Sequence, residues 1–201
     1  MIIFVLFFVG LSGLATAIHA AVLGPRAKAR KRLRQASREL VDGAVVTLTG
    51  KVVARSKVLE APLSGRDGVA FSSNARIYTT KRPPAIAAQI DEAMMVEFEL
   101  ETKDGKLVVS EGDVVIEFPP DPIIPRKIER EQRFLDAHGY GHVHAGSVGF
   151  DEVVITAGMK ISVHGAVRVE AAPGEATYRE TGKKIVLAAP PGHPLTIGRP
   201  V

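Results

Sequence analysis

Apolar positions fall into two regimes along this chain. Residues Ile2 to Leu23 form one predominantly apolar run, whereas beyond about residue 44 apolar residues alternate with polar ones or gather in short β-branched clusters. The first regime predicts a membrane helix: at about 1.5 Å per residue the run spans roughly 33 Å, enough for a bilayer hydrocarbon core, and it contains no Asp, Glu, Lys or Arg. A cleaved signal peptide ending near Ala15-Thr16-Ala17 is the alternative, but the N-terminus lacks a charged region and the apolar stretch is too long for one. The second regime predicts strands. Residues 44–54 read as a long strand with Gly50 a bend or bulge, and Val69–Ser72 as a short one. Val96–Leu100 and Lys106–Ser110 flank Lys103-Asp104-Gly105, a hairpin signal whose Asp-Gly step supplies positive φ angles, and Val114–Phe118 completes a three-strand meander. Further strands are expected at 152–156, 161–169, 175–179 and 183–188, with a last one closing Gly192-His193-Pro194-Leu195-Thr196-Ile197.

Helical pattern is rare after the anchor. Pro119, Pro120, Pro122 and Pro125 make a stiff crossing that feeds a helix at about 126–137, with Pro125 suited to its first turn, Gly139 to its C-terminal cap, and Ile124, Ile128 and Leu135 as its buried stripe. Residues 83–94 read as a second, short helix. The expected fold is therefore mainly β. An N-terminal transmembrane helix (1–24) and a basic juxtamembrane stalk (25–40) precede one antiparallel β-rich domain (41–201), an OB-like barrel or a sandwich with one central helix.

Charge sharpens this picture. Of 26 Lys and Arg, seven (Arg26, Lys28, Arg30, Lys31, Arg32, Arg34 and Arg38) follow the apolar run and none precedes it. The positive-inside rule then places the body of the chain on the cytoplasmic side. Arg26, Lys28, Arg30, Lys31, Arg32 and Arg34 are candidate contacts to anionic lipid headgroups, at about 1 kcal/mol each. Residues 39–201 keep 19 basic against all 22 acidic residues, a net charge of about −3, so a phosphate-binding surface on the domain is poorly supported and no nucleic-acid partner is expected. The absence of cysteine excludes disulfides, thiol nucleophiles and thiolate-held zinc.

Ala61-Pro62-Leu63-Ser64-Gly65-Arg66 is a candidate interaction loop: Pro62 stiffens it, Ser64 and Gly65 allow a tight turn, and Arg66 is a polar tip beside a strand. His138-x3-His142-x-His144, with Asp136 and Asp151 nearby, has spacing compatible with a Zn or Ni site, but it lies in a Gly-rich segment that reads as a solvated loop. His164 reads as a partly buried or surface residue at a strand end, and His19 as reaching the headgroups. Gly139-Tyr140-Gly141 lacks the strand, turn and helix order of a phosphate cradle, and Ser64 lacks a nucleophile elbow. No catalytic residue and no cofactor is expected. In the apolar run, Gly13, Ala17 and Ala21 lie on one helical face, where small residues allow a homodimer contact.

The segments Gly50-Lys51-Val52-Val53 and Leu59-Glu60-Ala61-Pro62-Leu63-Ser64-Gly65-Arg66-Asp67-Gly68-Val69-Ala70-Phe71 resemble the opening of the GIDE or BAM ("beside a membrane") domain. The Asp104-Gly105 hairpin, Glu152 to Gly158 leading to Val163-His164-Gly165, and the closing Gly192 to Ile197 are similar as well, so that the resemblance covers about residues 41–199. That family includes mitochondria-anchored ubiquitin ligases, in which a RING module follows the domain and a second span. The RING, which needs cysteine-held zinc, is missing here, so the resemblance implies a membrane-tethered domain acting by interaction with an unknown protein partner, without ligase activity. The chain departs from the family at Gly68, commonly Cys, and in 80–95, which is richer in proline and alanine. A membrane-tethered metal-dependent hydrolase using His138, His142 and His144 is the alternative expectation.

The topology is directly testable. A reporter fused after Val201 should be cytoplasmic, and protease added outside intact cells should leave it whole. Protease cleavage from outside, or a mature chain starting near Ile18, would remove the anchor.

Overall fold

A computed structural model of the protein describes residues 40–55, 57–79, 84–121, 126–171 and 183–200. The expected anchor, nearly all of the stalk, the Gly13, Ala17 and Ala21 face, the headgroup-contacting basic residues and the strand at 175–179 lie outside these residues. Among the described residues no helix is long and apolar enough to cross a membrane.

The described chain is mainly β, built on a five-stranded barrel with one helix. β1 (Val45–Ala54) pairs along its first part with β10 (Lys160–Ala171) and along its end with β6 (Phe98–Thr102). β6 continues to β7 (Gly105–Val109), and β7 runs parallel to β11 (Lys183–Ala188), which returns to β10 and closes the ring. Inward positions of these strands alternate as a one-sided core demands, and Val46, Val52, Phe98, Leu100, Ile161, Val163, Val167 and Leu187 fill the interior. β12 (Leu195–Gly198) extends the wall beyond β10, and β8 (Val114–Glu117) lies parallel beside β12.

A second layer comes from chain inserted between barrel strands. β4 (Ala70–Tyr78) lies between β5 (Ile86–Met95) and β9 (Val148–Ile155) in an antiparallel three-stranded sheet. α1 (Ile128–Ala137) packs Phe134 and Leu135 onto Ala75, Ile77, Ile90 and Val148. β2 (Leu59–Glu60) and β3 (Asp67–Gly68) form a two-stranded clip whose connection is the 61–66 loop.

Several sequence expectations are corrected. Residues 83–94 are not a helix: β5 pairs with β4 from Tyr78↔Ile86 to Ala70↔Met95, and this cross-strand pairing overrides the helix preference of its alanines. β8 does not complete a meander, because the free side of β7 is taken by β11. The Asp-Gly hairpin forms, but only Gly105 has positive φ; Asp104 is held instead by donating its N–H to Thr102 Oγ1 at 3.2 Å. Ile128 is not part of a buried stripe but 54% exposed, since α1 buries the Glu131, Phe134 and Leu135 face, while Ile124 lies outside the described residues. Gly139 does end the helix, at φ +81, with Tyr140 N–H reaching Leu135 O at 2.8 Å.

Gly50 is not a bulge. The β1–β10 register is continuous through it, and it marks a close approach instead: a Cβ there would lie 2.6 Å from Glu101 O. Gly165 on β10 is equally tight, 2.7 Å from Ala188 O. Barrel closure at these two points has no room for a methyl group. Gly50→Ala and Gly165→Ala should each lower the unfolding free energy by about 1–3 kcal/mol, measured by denaturant titration. Gly112→Ala, with open space around it, should change it by no more than about 0.5 kcal/mol. Equal effects at all three positions would contradict the tight closure.

Candidate functional site

The 61–66 loop is held from below by a buried carboxylate. Glu152 of β9 is fully buried; its Oε1 accepts from Leu63 N–H at 2.9 Å and Ser73 Oγ at 2.9 Å, and its Oε2 accepts from Ser64 N–H at 3.0 Å. β-sheet register explains the third donor, because Ser73 and Glu152 are direct cross-strand partners and share a face. A buried carboxylate without such donors would be strongly unfavourable. The loop closes on itself through Ala61 N–H to Arg66 O and Gly65 N–H to Ala61 O, at 2.9 and 2.8 Å.

Helix α1 and the chain before it hold the loop from the side. Lys127 Nζ donates to Ser64 O at 2.7 Å, and Arg130, ion-paired with Glu60, lays its guanidinium against Gly65. Gly65 has φ +70, so the turn itself favours glycine, and the Arg130 guanidinium fills the space a side chain would occupy. Arg66 pairs with Asp121 at 3.1 Å, and Asp121 N–H donates to Glu152 O. Of the expected interaction residues, Ala61 and Leu63 are therefore corrected to fully buried packing positions, while Pro62, Ser64, Gly65 and Arg66 reach the surface.

Gly68, where the resembling family commonly has Cys, is equally constrained: a Cβ would lie 2.5 Å from Val154 Cγ1 and 2.8 Å from Ile155 O. Packing at this point requires glycine in this chain.

Beside the loop is an open groove of about 500 Å³, lined by Pro62, Glu92, Arg130, Arg133, Phe134, Ala137 and His138. Its apolar floor and charged rim are surface features that sequence spacing did not indicate, because β5, α1 and the loop are far apart in sequence. A second buried carboxylate lies under α1. Glu131 receives Arg126 Nε at 2.9 Å and Nη2 at 2.6 Å, and Nη2 also donates to Ala145 O at 3.0 Å. Donating to the Glu131 carboxylate raises the Arg126 pKa above its already high ordinary value, so this guanidinium stays charged. The sequence signal for both carboxylates is an acidic residue at a core-facing position: Glu131 three residues before Phe134 on a helix, and Glu152 at the head of a β-branched run.

The 138–144 histidines are not gathered into one site. His138 Nδ1 bonds Phe134 O at 2.8 Å, and its Nε2 lies 3.7 Å from Glu92. His144 Nδ1 accepts from Gly146 N–H at 3.1 Å, capping a single 3-10 turn at Ala145–Ser147, and His142 is exposed. Among the described residues no group of three His, Asp or Glu is arranged to hold a metal ion. His164 is not at a strand end but in the middle of β10, buried, with Nδ1 3.1 Å from Thr47 Oγ1 of β1.

Glu152→Ala should cost on the order of 3–5 kcal/mol, since it strands three donors in the interior, and Glu152→Gln, which keeps one acceptor, should cost less. Hydrogen exchange at the Leu63 and Ser64 amides should accelerate in both variants. Unchanged exchange at these two amides would show that the carboxylate does not hold the loop.

Comparison with protein-family models, curated proteins and solved structures finds no match to this chain.

Proposed function

We propose that this protein is a single-pass, membrane-tethered recruitment domain of the GIDE/BAM kind, held on the cytoplasmic face of the membrane and binding a protein partner through the 61–66 loop and the adjoining groove. The observation that carries this reading is the construction of the loop. Two backbone donors on Glu152, a lysine and an arginine from the α1 region and the Arg66–Asp121 pair fix its shape, and Pro62 stays half-exposed at the edge of a groove that also presents Arg133 and Phe134. A fixed rim loses little conformational entropy on binding, which favours an interface.

The finer fold reading supports the same role. The barrel order β1-β6-β7-β11-β10, closing back on β1 with β7 and β11 parallel, is OB-like, and OB-like barrels commonly serve as binding platforms. The apolar run and its basic flank supply the tether and an anionic-lipid contact, and the Gly13, Ala17 and Ala21 face a helix–helix contact. No ligase chemistry enters, because the chain contains no cysteine.

Proximity labelling from the intact protein in its native membrane tests the proposal. Neighbours labelled by the unmodified chain should drop by about tenfold in an Arg133→Glu variant, in which an exposed charge lining the groove is reversed. Identical neighbours in both proteins, or recovery of the chain in the soluble fraction, would defeat the recruitment reading.

A further inference from the structure

Four apolar side chains of the barrel point away from its core. Val186 and Ala188 of β11, Val108 of β7 and Ala166 of β10 alternate with Leu187, Val109 and Val167, which fill the interior, so they lie on the outer wall. The register makes them one patch: Ala166 pairs with Ala188, Val186 pairs with Val108, and Val45 of β1 adjoins Ala166. They are buried all the same, at 7% exposure for Val108 and Ala166 and 4% and 3% for Val186 and Ala188, yet they belong to none of the three apolar cores. Burial continues along the same face to His164, Ser162 and Thr196, and the fully buried Thr196 hydroxyl has no hydrogen-bond partner among the described residues. The helices among the described residues, α1 and the 3-10 turn, pack on the second core instead.

We propose that the basic segment before Leu40 covers this wall, docked along β10 and β12 as an amphipathic helix. Its point of attachment and its length carry the choice. Asp42 Oδ1 accepts from Val169 N–H, Gly43 N–H donates to Val167 O and Val167 N–H to Ala44 O, so the described chain begins beside residues 167–169 of β10. A turn closed by Ala44 N–H to Val41 O, with Gly43 at φ +79, reverses the chain there and sends the preceding residues back along the barrel. From this level to Ser162 is about 20 Å of strand, and residues 26–39 as a helix are about 21 Å long. Residues 172–182 leave β10 at Ala171 and return at Lys183. Doubled back, they reach roughly 20 Å, short of Ser162 at roughly 30 Å. In helical spacing Ala29, Leu33 and Ala36 share one face and Lys31, Arg34 and Arg38 the opposite one. The apolar face then meets the apolar patch while the charged face stays in water. Pro25 separates this helix from the apolar run, so the two need not be collinear. Given the tether proposed above, on which this consequence rests, Lys31, Arg34 and Arg38 face the headgroups and the β10 wall is held toward the bilayer.

The chain contains no cysteine, so introduced thiols report only on themselves. In the full chain in isolated native membranes, Ala36→Cys with Ala188→Cys, or with Ala166→Cys beside it, should link within one chain on mild oxidation or through a short bis-maleimide. Gln35→Cys with the same wall positions is turned about 100° around the helix and should link at about a tenth of that yield. In the Ala36→Cys, Ala188→Cys background, Leu33→Glu should likewise cut the yield about tenfold, because it sets a charge against the apolar patch, and Leu33→Met should keep it. The product is read as a monomeric chain that has lost both thiols. It requires neither a partner nor a given membrane orientation, so its failure and the failure of the recruitment reading are separate results. No monomeric link from position 36, an equal yield from position 35, or indifference to Leu33→Glu would overturn the proposal. So would a link from Tyr178→Cys in place of position 36, which would make the 172–182 connection the cover, or a product of doubled mass, which would make it a second copy.

Discussion

Everything around the candidate site depends on the carboxylate of Glu152. Its two oxygens bind the backbone of Leu63 and Ser64 and the hydroxyl of Ser73, joining a loop, β4 and β9 at one buried point. A charged group can stay inside a protein only where donors replace the water it has lost. The loop therefore has one shape that satisfies Glu152, and Glu152 has one loop shape that satisfies it. The backbone carbonyl of the same residue receives Asp121 N–H, and Asp121 holds Arg66, so the outer side of the loop is tied to the same strand position as its underside.

Glu131 repeats this principle on the other side of the second core. Its two bonds from Arg126 let a helix bury a carboxylate between Phe134 and Leu135, and Arg126 continues to Ala145 O, linking the start of α1 to the turn before β9. Among the described residues, the two fully buried acidic side chains are thus engaged in holding elements together. The mixed apolar and charged groove remains as the feature best suited to contact with another molecule, and its shape depends on those two anchored carboxylates.

Barrel and sheet manage their edges in opposite ways. The barrel pairs β1 with both β6 and β10 and closes, at the cost of glycines where backbones approach most closely. The small sheet sits between the barrel end and α1, covered on its faces but open along β5.

Local signals legible in the chain were those that depend on near neighbours. The strands β1, β6, β7, β9, β10, β11 and β12, the helix over 128–137 and its end at Gly139 follow from period-two alternation, proline and glycine placement, and short turns. The β-rich class and the absence of thiol chemistry were likewise set by the residues themselves. Only the tertiary structure decided that the β strands close a barrel, since that needs the β1–β10 and β7–β11 pairings between segments separated by more than 70 residues. Long-range pairing also turned the alanine-rich 86–95 segment into a strand and gave β8 a distant partner. The candidate site was hidden for the same reason: Glu152, Ser73, Leu63 and Ser64 have no shared spacing in sequence, and what unites them is the need to satisfy a carboxylate buried where three separate segments meet.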